Sequence, residues 1–151
     1  MVIGAGLAGF GELQQTRATP HTLPIATTLD EDLARVVKQG KPLVVMVSLD
    51  GCPFCRLVRE NFLPSLEREQ HLTVVQVHMR KSTAIKDLQG RRPTHDQLTR
   101  TWGIKVAPLL FFGKNGSEVA ERLAGASIPE FLQRLFTRAH RQSSTVFYLD
   151  I

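Results

Sequence analysis

Both cysteines of this 151-residue chain stand in one hexapeptide, Asp50-Gly51-Cys52-Pro53-Phe54-Cys55. A two-residue gap brings two sulfurs within bonding reach on the first turn of a helix. The first cysteine would then sit at the helix N-terminus, where free N–H groups and the macrodipole stabilise a thiolate. Pro53 suits that turn, because the first helical positions have no use for an N–H. The spacing predicts Cys52 as the attacking thiolate and Cys55, one turn deeper, as the thiol that resolves a mixed disulfide. Two other chemistries use cysteine pairs. Half a zinc site would need partners from His21, His71, His78, His95 or His140, and no two of these stand at a ligand-pair spacing. An inert disulfide across so short a loop would add little stability, since the entropic gain grows with loop length.

Thiolate chemistry needs a strand before the motif and a helix after it, and the pattern supplies both. Leu43 to Leu49 is nearly all apolar and rich in β-branched residues, which predicts a strand buried on both faces. Asp50-Gly51 makes the turn. Phe54, Leu57, Val58, Phe62 and Leu63 follow at helical spacing until Pro64 ends or kinks the helix. Upstream, Thr28 and Glu31 form a candidate capping box ahead of Leu29, Leu33, Val36 and Val37, with Gly40 as the stop. Downstream, Leu72 to Met79 reads as a second strand, Thr94 to Trp102 as a short helix and Lys105 to Phe112 as a third strand. Asn115-Gly116 marks a hairpin turn into Ser117 to Leu123. Ser127 to Phe136 carries a last amphipathic helix behind a second capping box. Interleaved strands and helices predict an α/β domain: three layers, helices over both faces of a central mixed sheet, and a C-terminal β-hairpin plus helix.

Composition removes most other classes. Hydrophobic residues make up 42%, enough for a core. No apolar stretch reaches the ~18–20 residues of a membrane span. The net charge of +5 comes from dispersed bases, and aromatic residues are 7%, mostly Phe at apolar-periodic positions. A nucleic-acid surface would interleave exposed aromatics with those bases, so none is expected. Gly4-Ala5-Gly6-Leu7-Ala8-Gly9 matches a dinucleotide-binding glycine pattern, but only three residues precede it where a full strand is required. The division expected is a flexible leader or signal remnant over 1–24, a domain over 25–141 and a tail over 142–151.

From about Thr28 to Arg141 the sequence resembles the thioredoxin-like superfamily. The resemblance rests on the C-x-x-C after the first buried strand and on Gly103-Ile104-Lys105-Val106-Ala107-Pro108-Leu109-Leu110-Phe111-Phe112 followed by Gly113-Lys114-Asn115-Gly116. It implies a thioredoxin fold. It also implies a cis peptide before Pro108, and a groove beside Cys52 where Pro53, Phe54, Ala107 and Pro108 meet an extended peptide. Five positions depart from ordinary thioredoxins. Met46 stands where they carry a buried acid, Gln76 where they carry a lysine, Gly51 where they carry a tryptophan, and Pro53-Phe54 replaces Gly-Pro. Without the acid and the lysine, proton transfer to and from Cys55 must use water or another group.

The expected activity is thiol–disulfide exchange with protein substrates through Cys52 and Cys55, with no metal and no cofactor. Protein thiols or disulfides and a recycling redox protein are the implied partners. A glutathione-linked enzyme and a non-catalytic thioredoxin-like binding module are the rival readings. The apolar leader and the lack of further cysteines point to an extracytoplasmic location, periplasmic or membrane-facing. A cytoplasmic one would share the second feature.

Overall fold

The computed structural model describes residues 20–124 and Glu130. Its organising element is β1, Leu43–Ser48, whose six residues are all buried. No polar face exists on this strand, so it can only lie inside a sheet covered on both sides. It pairs in parallel with β2, Thr73–His78, and antiparallel with β3, Pro108–Phe112. A two-residue β4, Leu123–Ala124, completes the order β2-β1-β3-β4. The mixed sheet is therefore as the sequence implies.

Period-two alternation divides the core. Val44 and Met46 of β1 face Cys55, Val58, Leu63 and Leu66. Those four come from α2, Pro53–Asn61, and α3, Leu63–Glu69. Leu43, Val45 and Val47 point the other way, against Leu29, Leu33, Val36 and Leu98. These belong to α1, Leu29–Val37, and α4, His95–Thr101. Helices thus cover both faces. Pro64 falls in the first turn of α3, just past the break between the two helices.

Several local expectations are corrected. Thr28 precedes α1 but makes no side-chain cap. Its backbone is drawn instead into a bridge with Lys86, and the Lys86 ammonium pairs with Asp30 at 2.7 Å and Glu31 at 3.5 Å. The glutamate meant to reach back is therefore engaged elsewhere. The box at Thr94 does form, with Gln97 returning the hydrogen bond. β3 starts at Pro108, which becomes its first residue rather than an interior one. No peptide among the described residues is cis, so Pro108 is trans and the cis expectation is overturned. Trans is the lower-energy isomer, and the strand's opening position admits a residue with no N–H. The strand expected over Ser117 to Leu123 is interrupted. Glu118 bridges Phe112, then pairing lapses until Leu123. In the gap the Arg122 guanidinium bonds the Glu118 carboxylate and, at 2.6 Å, the Trp102 carbonyl. The helix expected over Ser127 to Phe136, the tail and most of the leader lie outside the described residues, Glu130 apart.

The end of the leader segment joins the packing. Leu23 is buried in the α2–α3 side of the core. The Gln76 N–H donates to the Pro24 carbonyl at 2.8 Å, and Ala26 N–H donates to Gln76 at 2.9 Å. Pro24 to Ala26 thereby runs along the outer edge of β2.

Candidate active site

β1 ends at Ser48, and the chain turns through Leu49, Asp50 and Gly51 into α2. Gly51 has φ +74°, a backbone region that favours glycine. This turn puts Cys52 at the N-cap of α2 with Pro53 as the first helical residue. Cys52 Sγ accepts the Cys55 N–H at 3.1 Å, so the sulfur does the capping that a hydroxyl or carboxylate usually does. No acidic side chain stands in the first turn of α2 to oppose a negative sulfur. Cys52 and Cys55 are joined by a disulfide, with Cα atoms 5.3 Å apart. Cys52 is partly exposed and Cys55 is buried, the asymmetry the spacing predicts between attacking and resolving sulfur.

The other four sequence-derived site residues do not share one groove. Phe54, Ala107 and Pro108 join Met46, Val58 and Cys55 around a slit of about 10 Å³, between α2 and the β1–β3 pair. Pro53 instead borders, with Cys52, a cavity of about 340 Å³ beneath the β2 side of α2.

That cavity is also lined by groups to which the sequence reading gave no part in the redox site: Ser48, Asp50, Arg59 and His78. The β1–β2 register sets Met46 beside Gln76 and Ser48 beside His78. His78 Nδ1 lies 3.4 Å from Ser48 Oγ and 3.5 Å from Asp50 Oδ1, while Gln76 Nε2 donates to His78 Nε2 at 2.7 Å. Behind it, His95 Nδ1 accepts the backbone N–H of His78 at 3.2 Å. Burial holds the His78 imidazole below its ordinary value, Lys81 and Arg59 push the same way, and Asp50 opposes them. Burial likewise lowers His95, with His78 and Lys81 adding to it and a hydrogen bond with the Ala26 backbone opposing. The signal for His78 was a histidine two residues after Gln76 in an otherwise apolar strand, hence on the same face.

With one partly exposed and one buried sulfur in a disulfide at a helix start, the arrangement is consistent with thiol–disulfide exchange. Comparison with known proteins agrees. A family model for the thioredoxin-like domain matches residues 29–139. Thioredoxin H9 of Arabidopsis thaliana is 25% identical over 115 residues, 76% of this chain and 72% of that protein. A thioredoxin from Thermus thermophilus superposes with TM-score 0.52 at 21% identity, covering 81% of this chain and 95% of its own. The oxidised C-terminal domain of Neisseria meningitidis DsbD gives 0.51 at 17%, covering 75% and 97%.

Proposed function

The chain belongs to the thioredoxin-like domain family, and from that premise we propose that it is an enzyme exchanging disulfides with protein substrates through Cys52 and Cys55. The observation that carries this reading is the asymmetric pair: a partly exposed Cys52 capping a helix and a buried Cys55 already bonded to it.

In the reduced protein the Cys52 thiolate attacks one sulfur of a substrate disulfide. The substrate S–S bond breaks, a Cys52–substrate disulfide forms, and the leaving thiolate takes up a proton. Cys55 then gives up its proton and attacks Cys52 Sγ. The intramolecular disulfide closes and the second substrate thiol departs. Two electrons have moved from the cysteine pair to the substrate. A second dithiol protein must return them, and run backwards the same steps oxidise a substrate. Phe54, Ala107 and Pro108 are the proposed contacts for an extended substrate segment, and Pro53 frames Cys52 from the other side. Among the described residues no helix is long and apolar enough to cross a membrane. The apolar run Val2 to Phe10 supports an extracytoplasmic setting, which fractionation of cells expressing the full chain checks.

The test is insulin reduction by wild type and Cys52→Ser. Loss of turnover in the variant is expected, and equal rates in the two proteins end the reading. Faster turnover of a small glutathione mixed disulfide than of insulin would transfer the activity to the glutathione-linked class. A pair that keeps one redox state across a glutathione buffer series would make the domain a binding module.

A further inference from the structure

A thiolate at Cys52 requires somewhere for the thiol proton to go. Two groups that the thioredoxin resemblance would place below the cysteines, an acid and a lysine, are Met46 and Gln76 here. Met46 is buried against Cys55 and can take no proton. The ionisable groups lie instead on the β2 side. Cys52, Asp50 and His78 all border the cavity of about 340 Å³, far above the ~10–15 Å³ one water requires, and its walls are polar enough to be wet.

We propose that His78 is the proton acceptor for Cys52, acting across the cavity they share, with Asp50 and Gln76 holding its ring in place. This rests on the redox reading above and adds the residue that activates the nucleophile. In the forming step the S–H bond of Cys52 breaks, the sulfur keeps the electron pair, and the proton, relayed by water in the cavity, ends on His78 Nε2, the nitrogen that carries no hydrogen in the neutral ring, as the Gln76 amide turns its N–H away. Both ring nitrogens then carry hydrogen. Nδ1–H faces the Asp50 carboxylate, 3.5 Å away. Nε2–H faces Gln76, whose amide nitrogen donates to the neutral ring at 2.7 Å. Gln76 is buried, and its Oε1 has no hydrogen-bond partner among the described residues. Turning that amide by half a revolution offers the unused oxygen to the imidazolium. An amide carries both a donor and an acceptor, so one side chain serves both protonation states, which neither a lysine nor a carboxylate does as well. When the substrate's leaving thiolate takes the proton back, the ring is neutral again.

Lys81, just after β2, and Arg59 of α2 resist a positive ring at His78, and Asp50 favours it. Arg56, Glu60 and His21 also line the shared cavity, and His95 of α4 accepts the His78 backbone N–H. Burial keeps the imidazole neutral at rest, which is the form that can accept. A cysteine thiolate opposite an imidazolium is a mutually stabilised pair, so each titration depends on the other.

The experiment measures the rate of iodoacetamide alkylation at Cys52 in the reduced full-length protein between about pH 5 and 9. In H78Q the acid limb moves to higher pH, and the rate near pH 6.5 falls about tenfold while thermal stability is retained. Superimposable profiles for wild type and H78Q overturn the proposal. A second measurement needs no variant. The His78 imidazole, followed by NMR, titrates at higher pH in the reduced protein than in the disulfide form; identical titrations overturn the proposal. Failure of the redox reading looks different: the wild type then fails to reduce insulin, whatever its alkylation profile.

Discussion

On the β2 side of β1 the disulfide borders about 340 Å³ of space walled by Ser48, Asp50, Arg59 and His78; on the β3 side it borders about 10 Å³ walled by Met46, Phe54, Val58 and Pro108. The first is polar and roomy enough for water. The second is apolar and has no room to speak of. Adjacent positions of one strand pair produce both: Met46 and Ser48 share a face of β1, two residues apart. The difference teaches a division of labour. In the proposed scheme proton traffic runs on the side where water can enter, while the slit side is closed apolar packing.

The comparison breaks most visibly at the sulfurs. Cys55→Ser removes the resolving thiol, so turnover should fall to background while a Cys52–substrate disulfide accumulates, detectable by non-reducing electrophoresis. Equal accumulation in wild type would remove Cys55 from its role. Next in size is the packing of the slit. Met46→Ala leaves a void that cannot fill with water, and should cost ~2–5 kcal/mol in urea unfolding.

A pH series sharpens the contrast, because the cavity wall includes His78, whose pKa is lowered, while no residue lining the slit has a resolved shift. His78 and His95 both lie below the ordinary 6.5 when folded. As pH falls the unfolded chain binds protons first, so their contribution is full above about 6.5 and is lost as pH drops through the folded values. The melting temperature should decline on going from about pH 7.5 to 5.5, and H95Q should flatten that decline. A wild-type protein with no decline over that range would refute the buried neutral pair. Asp30, lowered by its hydrogen bond with Lys86, titrates below 3.8 and leaves this window clean. The smallest effect belongs to Ser48→Ala, whose hydroxyl lies 3.4 Å from the His78 ring; beside a wet cavity its loss should cost under ~1 kcal/mol.

Much of this was legible from residue order. The strand-turn-helix around Cys52 follows from a nearly all-apolar run, an Asp-Gly turn and Pro53, and the structure keeps each in place. Met46 and Gln76, aligned separately against the family, prove to be register partners. The proton-handling side was not legible, because Ser48 and His78 meet only once two strands thirty residues apart fix their register. A histidine in a strand carries no mark of what stands beside it. Thr28 shows the reverse failure: its local capping signal was sound, and a backbone bridge to Lys86 overrode it. The broken run before Leu123 likewise depends on Arg122 reaching the Trp102 carbonyl, a contact no alternation pattern encodes.

The strip from Pro24 to Ala26 along β2 has a consequence for solution behaviour. Its two hydrogen bonds occupy the outward N–H and C=O of Gln76, groups that on a bare ladder would solicit a strand from a neighbouring molecule. Cleavage after Ala26 by a protease would uncover that flank, and the trimmed protein should self-associate at concentrations where the intact one stays monodisperse.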